Sequence, residues 1–235
     1  FAADQERAKG LTVPARKTAT GKRVAVIGSG PAGIVAAGEL AKDGHDVVLY
    51  ESLHAPGGVL TYGIPSFRLP KDVVKAEIDL ILAMGVDLRL NHLVGRTVSF
   101  EELEEYDAIL LGTGAGLPYF MGIPGENLSG VYSANEFLTR VNLMHAERFP
   151  EYDTPVAKMN RVVVVGGGNV AMDAARTARR MGAQVTLVYR RREEDLPARA
   201  AEVHHAKEEG IEFITCANPI RILGEQAVTG IECIR

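Results

Sequence analysis

The chain contains no tryptophan and only two cysteines in 235 residues. Cys216 and Cys233 form no disulfide framework, no CxxC redox pair and no metal-ligand set. Such sparse thiol usage fits a cytoplasmic protein. No apolar run approaches the ~20 residues of a membrane span. The N-terminal FAADQERAKGLTVPARKTATGKR lacks the apolar core of a signal peptide. Charge of one sign is also lacking: 26 basic against 30 acidic residues leave a net −4. No global field therefore favours nucleic acid or an anionic membrane. Apolar residues at 46% and charged residues at 24% exclude a disordered tail or a polar solenoid. The chain opens on Phe rather than Met and stops inside an apolar segment, Thr229–Arg235. Both ends are expected to be cut from something longer.

Glycine is the residue in excess, 25 of 235 or about 11% against a usual ~7%. Much of it belongs to an internal repeat. Lys22–Glu51 and Asn160–Arg190 align with Gly28 on Gly166, Gly30 on Gly168 and Gly44 on Gly182. Arg23, Val24, Val26, Ala36, Ala37, Val47 and Leu49 recur at the same offset. Each copy reads as a Val/Ile strand, a glycine cluster, a helix closed by Gly44 or Gly182, and a second strand. That is a βαβ unit with its right-handed crossover. The fold class expected is α/β, two Rossmann-like dinucleotide-binding domains. Between the copies, Lys71–Met84 and Phe100–Glu105 read as helices, and Val86–Leu90 and Asp107–Leu111 as strands. Leu138–Phe149 reads as a further helix, with Pro150–Pro155 as a linker. After the second copy come a helix at Ala198–Glu209 and strands at Ile211–Ile214, Ile220–Leu223 and Val228–Ile234.

The first fingerprint is Gly28-Ser29-Gly30-Pro31-Ala32-Gly33. The first glycine makes the turn, the second lets the backbone approach a pyrophosphate, and the third lets helix and strand pack. The helix N-terminus adds free N–H groups and a positive dipole end. Glu51, at the end of the second strand, suits a ribose hydroxyl. The second fingerprint is Gly166-Gly167-Gly168-Asn169-Val170-Ala171, and its second strand ends in Tyr189-Arg190-Arg191-Arg192 instead of an acid. Guanidinium groups there match a 2′-phosphate, which predicts NADP(H). The competing reading is a solvated basic cluster paired with Glu193, Glu194 and Asp195.

The segment Ser52–Pro70 is too long for a plain connection, and loops of this length are often functional. It carries Pro56-Gly57-Gly58, which could admit a flat ring against the backbone, and Arg68, which could meet a phosphate. Gly112 and Gly114 end a strand with another close-approach signal. His204 and His205 are adjacent and share no helix face, so they read as surface or cap residues.

The runs GKRVAVIGSGPAG, PGGVLTYGIPSFRLP, YDAILLGTGAGLP, GIPGENLSGVYSANEFLTRVNLM and VVVVGGGNVAMDAARTARRMGAQVTLVYRR resemble one family. It comprises the small subunit of NADPH-dependent glutamate synthase and the large subunit of NADH-dependent reduced ferredoxin:NADP+ oxidoreductase, also described as sulfide dehydrogenase. Dihydropyrimidine dehydrogenase flavin domains are more distant relatives. The resemblance covers nearly all of 21–235. It implies an FAD domain into which an NADPH domain is inserted: a linker over 1–20, the first part of the FAD domain at 21–135, a connecting helix and linker at 136–155, and the NADP(H) domain at 156–235. By motif, Gly28, Ser29, Gly30, Pro31, Ala32 and Gly33 would hold the FAD pyrophosphate and Glu51 the adenosine ribose. Gly58, Leu60 and Arg68 would line the flavin loop, and Val94 the adenine. Gly167, Gly168, Asn169, Val170, Arg190 and Arg191 would hold NADPH.

The implied reaction is hydride transfer between NADPH and flavin, with electrons passed to iron–sulfur centres. Those centres would lie in a domain absent from these residues or in a partner, an iron–sulfur or amidotransferase subunit. The family's second FAD segment is also absent, so FAD binding by these residues alone is expected to be weak. No catalytic side chain and no metal site is assigned. The alternatives are a non-catalytic nucleotide-binding or assembly subunit, and a thioredoxin-reductase-like or sulfide-oxidising flavoprotein. The missing CxxC argues against a thioredoxin reductase.

Overall fold

A computed structural model describes residues 2–157 and 159–235. The chain divides into two compact units. The first comprises the chain up to Thr61 together with Ser66–Ala115, and the second comprises Tyr62–Pro65 and Gly116–Arg235.

The first unit opens on helix α1 (Ala2–Lys9), where a linker over 1–20 was expected. An irregular strap follows and is tied down. Lys17 N–H donates to Lys42 O at 2.8 Å and Thr20 N–H to Gly44 O at 3.0 Å, while the Arg16 guanidinium reaches Ala41 O and His45 O. Then come β1 (Arg23–Ile27), α2 (Pro31–Lys42), β2 (Asp46–Tyr50), the short α3 (Val59–Tyr62), α4 (Lys71–Ala83), β3 (Asp87–Arg89), the short α5 (Phe100–Leu103) and β4 (Ala108–Leu111). The four strands pair in parallel in the order β3-β2-β1-β4. The pleat sends Val24, Val26, Val47 and Leu49 to one face, under Ile34, Ala37, Ile78 and Ile81 of α2 and α4. Ala25, Ile27, Val48 and Tyr50 face the other way, against Val98 and Leu103.

The second unit contains α6 (Ala134–Asn142), β5 (Arg161–Val165), α7 (Asn169–Arg180), β6 (Gln184–Tyr189), α8 (Ala200–Glu208), β7 (Glu212–Thr215) and an antiparallel pair, β8 (Asn218–Gly224) and β9 (Val228–Ile234). Its parallel sheet has the order β5-β6-β7. Met172, Ala175 and Ala178 of α7 pack with Val185 and Leu187 of β6 and with Phe137 and Leu138 of α6. β5 is less enclosed than its run of valines predicts, because Val163 and Val165 point to an open face.

Both βαβ units close their helix in the same way. Gly44 and Gly182 have φ of +91° and +98°. Gly44 N–H bonds to Ala41 O and His45 N–H to Leu40 O, and Gly182 and Ala183 repeat the pattern on Arg179 O and Ala178 O. This is the Schellman arrangement, which turns each helix directly into its next strand.

Two boundaries differ from expectation. The helix expected at Leu138–Phe149 starts earlier, because the Ser133 hydroxyl caps it by accepting Glu136 N–H at 3.1 Å. It stops at Asn142; His145 then takes φ +52° and only a 3₁₀ turn, Ala146–Arg148, follows. Residues 116–135, expected in the first domain, pack within the second unit. Ile222 N–H donates to Pro124 O at 2.8 Å and Ser129 N–H to Gln226 O at 3.1 Å, which laces this segment to the β8–β9 pair.

Candidate functional site: two glycine turns

In the first turn, two glycines are demanded by the protein itself. Gly28 has φ +98°, and a Cβ on it would lie 2.4 Å from Gly112 O. A Cβ on Gly33 would lie 1.8 Å from Gly28 O. Gly112, proposed from the sequence as a place of ligand approach, therefore backs onto Gly28. Gly30 is different. It caps α2 with φ −68° and ψ −177°, torsions open to any residue. Beyond its own chain neighbours, no protein atom stands within 4 Å of where its Cβ would be. Gly168 repeats this at the cap of α7, with φ −88°, ψ 176° and open space around it. No side chain caps either helix, so the first-turn N–H groups that lack helical partners face outward. Neither torsion nor packing asks for glycine at these two positions. Room beside a helix N-terminus, as a pyrophosphate needs, is the demand that remains. Pro31 and Ala32 lie exposed at the start of α2.

Glu51 and Ser29 are held deeper than the sequence suggests. Ser29 is fully buried and Glu51 is 5% exposed. Glu51 Oε2 accepts the Ser29 N–H at 3.0 Å and the Ser29 hydroxyl. Its Oε1 accepts the Leu53 N–H at 2.9 Å and the Ser52 hydroxyl at 3.2 Å. A carboxylate has about four lone-pair sites, so a ribose hydroxyl reaches Glu51 by sharing an oxygen or displacing a serine. The loop is seated on the same turn. Gly57 N–H donates to Ser29 Oγ at 3.0 Å, and a Cβ on Gly58 would lie 2.7 Å from Gly30 Cα. Leu60 is half-buried against the core, with its carbonyl on Lys71 Nζ at 2.8 Å. Arg68 is half-buried further along the loop.

Val94 sits in a tight bridge with Val98. The bonds there run from Val98 N–H to Leu93 O and from Gly95 N–H to Val98 O, which turns Val94's own N–H and carbonyl to the other side, where an adenine edge could pair. Gly114, with φ +73°, is exposed with open space around it. On the far face of the sheet, burial and a hydrogen bond to Tyr50 push the Tyr106 phenol up to about 12.

In the second turn, Gly167 is buried, and a Cβ there would lie 2.6 Å from the Tyr189 ring and 2.8 Å from Leu196. It is glycine because Tyr189 needs the space. Asn169 turns its Oδ1 to the Arg199 N–H at 3.0 Å, and Val170 is 47% exposed. Arg192 pairs with Glu194 at 3.0 Å and with Asp195 at 3.5 Å, and Glu193 pairs with Lys207. The acidic run is thus matched without Arg190 or Arg191, both exposed and without an ion pair among the described residues. The solvated-cluster reading fits Arg192 alone. Arg199, which the sequence reading missed, is brought to this turn by its bond to Asn169.

Behind the turn, Arg176 of α7 is 6% exposed. It bonds to Glu202 at 2.7 Å and to Glu209 at 2.9 Å. Burial pushes the Glu209 carboxyl up, but hydrogen bonds from Arg180 and Arg176 and their charges hold it below the ordinary carboxylate range. Asn142 of α6 was also missed. Its Nδ2 donates to Tyr62 O at 3.2 Å and to Gly63 O at 3.4 Å, which holds the middle of the long loop. Among the described residues no His/Cys/Asp/Glu group could hold a metal, and no helix is long and apolar enough to cross a membrane.

The sequence model of the pyridine nucleotide-disulphide oxidoreductase family matches residues 22–233. The β subunit of an NADP(+)-dependent formate dehydrogenase from Moorella thermoacetica is 42% identical over 221 residues, which is 92% of this chain and 30% of that protein. The small chain of NADPH glutamate synthase from Escherichia coli is 41% identical over 223 residues, 92% of this chain and 47% of that protein. The chain therefore spans less than half the length of these relatives. FprA of Mycobacterium tuberculosis in complex with NADPH has the same fold, with a TM-score of 0.75 at 24% identity over 89% of this chain and 63% of that one.

Proposed function

The chain belongs to the pyridine nucleotide-disulphide oxidoreductase family, and from that premise we propose that it is the paired nucleotide-binding part of an NADPH-dependent flavoprotein oxidoreductase. FAD occupies the first unit and NADPH the second. The observation that carries this is the pair Gly30 and Gly168, glycines at two helix N-termini that the protein does not itself require. Residues 21–115 are then the FAD-binding portion and 116–235 the NADP(H)-binding portion.

Residue roles follow from position. Gly30, Ala32 and Gly33 present backbone at the start of α2 to the FAD diphosphate. Val94 offers its peptide edge to the adenine. Gly168, Asn169 and Val170 do for NADPH what Gly30 to Ala32 do for FAD. Arg190 and Arg191 take the 2′-phosphate by charge-assisted hydrogen bonds. A bound flavin supplies hydride exchange with nicotinamide and delivery of electrons singly to an acceptor. The chain's own task is to hold, orient and shield, so no side chain is assigned a proton transfer.

The curated relatives named above are a β subunit and a small chain. By likeness, this chain works with a partner subunit carrying iron–sulfur centres or an amidotransferase site. A cytoplasmic location belongs to the same proposal and rests on two unpaired cysteines.

The test is NADPH oxidation by the protein with added FAD and ferricyanide, compared with Gly30→Val and Gly168→Val. We expect FAD-dependent turnover that each substitution abolishes. NADPH binding without turnover would make it an assembly subunit, and undiminished turnover in both variants would contradict the assignment of the two turns.

A further inference from the structure

The repeat allows the two turns to be compared position by position. The residue after the first glycine is Ser29 in one copy and Gly167 in the other. The residue ending the second strand is Glu51 in one and Tyr189 in the other. In both units these two positions touch. Ser29 gives Glu51 an N–H at 3.0 Å and its hydroxyl. Gly167 gives Tyr189 the space that a Cβ would fill, 2.6 Å from the ring.

The consequences differ. In the first unit a buried carboxylate needs donors, since an acid out of water is costly unless hydrogen-bonded. Ser29 supplies two and also takes the Gly57 N–H, so the acid and the loop are fixed together. In the second unit the seated phenol donates to Asp195 O at 2.8 Å, and Ala198 N–H donates to Gly167 O at 3.0 Å. The 195–198 turn is thereby drawn over the glycine turn, and its one acid, Asp195, pairs with Arg192 and not with Arg190 or Arg191. Glutamate at 189 would find no hydroxyl partner at position 167. Serine at 167 would collide with Tyr189 and Leu196.

We propose that Ser29 and Gly167 are specificity-determining residues, each acting through its partner at the strand end. Dinucleotide choice is set by pairs, 29 with 51 and 167 with 189, and not by the strand end alone. For the second unit this rests on its reading as an NADPH site. Tyr189→Glu alone loses NADPH without gaining NADH, because its carboxylate repels the 2′-phosphate and lacks the hydroxyl donor that Ser29 gives Glu51. Gly167→Ser alone weakens both nucleotides, because it displaces the ring. The two together rebuild the Ser–Glu arrangement and turn the site toward a ribose diol.

The test is a double-mutant cycle in the 235-residue chain: Gly167→Ser, Tyr189→Glu and both, with dissociation constants for NADPH and NADH and the melting temperature of each protein. We expect the double variant to shift the NADPH/NADH affinity ratio toward NADH by about tenfold more than the two single shifts multiplied together. We also expect Gly167→Ser to lower the melting temperature less in the Tyr189→Glu background than in the unaltered chain. Affinity shifts that multiply and melting losses that add would overturn the proposal. If the unaltered chain shows no preference for NADPH, the functional reading of the second unit fails, and the melting cycle still decides whether positions 167 and 189 act as a pair. Should Gly167→Ser not fold, Ser29→Ala and Glu51→Gln carry the same cycle in the first unit. Additive melting losses there would reject the pairing.

Discussion

Gly30 and Gly33 stand in one turn, yet alanine should separate them. At Gly33 a Cβ would meet Gly28 O at 1.8 Å, so Gly33→Ala forces backbone apart. We expect a loss of about 3 kcal/mol or more, a melting temperature lower by about 6–12 °C. At Gly30 and Gly168 the torsions are ordinary and the space is open. Gly30→Ala and Gly168→Ala should leave stability within about 1 kcal/mol. Gly168→Ala should still weaken NADPH by about tenfold or more, because its methyl group would occupy the place assigned to the phosphate in the proposed site. Thermal melts beside nucleotide titrations check both. A large stability loss at Gly168, or unchanged NADPH affinity, would return that glycine to a packing role. The fingerprints were legible as a pattern, but the separate reasons for each glycine were not. Gly112 meets Gly28 across 84 positions of chain, and Gly167 is paired with Tyr189 and Leu196. Such reasons exist only once distant segments are brought together.

Among the elements, α7 and α8 are joined by charge as well as by packing. Arg176 is nearly buried between Glu202 and Glu209. Glu209→Gln removes one charge from this group and should cost about 2–3 kcal/mol at neutral pH. The sign with pH follows from the depressed Glu209 carboxyl. Its contribution is complete above the ordinary glutamate value of 4.5 and is lost as pH falls through the lower folded value. The melting temperatures of parent and variant should therefore differ at pH 7 and converge in acid below that range. A constant difference across pH would show that Glu209 acts by shape and not by charge.

At this scale most of the fold could be read in advance, because strand, glycine turn and helix are local signals. The helix near 138 could not be placed correctly. Leu138, Val141, Leu143 and Met144 keep an apolar rhythm past Asn142. The Ser133 cap and the left-handed His145 nonetheless set the ends. The hold of Asn142 on Tyr62 and Gly63 spans about 80 residues, and no local pattern announces it.

For the whole molecule, one βαβ plan is used twice and ends differently. Unit one closes its second strand with a buried acid, and unit two with exposed arginines. The segment joining them has an unusual surface: Leu117 is 87% exposed, Tyr119 fully exposed and Phe120 67% exposed. Apolar surface gathered in one stretch favours association. The 235-residue chain should self-associate with rising concentration, and Leu117→Ser/Phe120→Ser should reduce this in sedimentation experiments. Equal behaviour of parent and variant would exclude that stretch as the cause.

In the proposed reading, the second unit selects its nucleotide by the 2′-phosphate. Arg190 and Arg191 are exposed and outside the ion pairs of their acidic neighbours, while the Glu51 position is taken by Tyr189. The most direct measurement is calorimetric titration of the chain with NADPH and NADH at low and moderate salt, repeated on Arg190→Ala/Arg191→Ala. Charged hydrogen bonds of this kind contribute about 1.5–3 kcal/mol each, so one alone predicts about tenfold preference or more for NADPH. The preference should shrink with salt and vanish in the double variant, with NADH affinity little changed. Equal affinities for the two nucleotides, or a double variant that binds NADPH as tightly as the parent, would contradict the account.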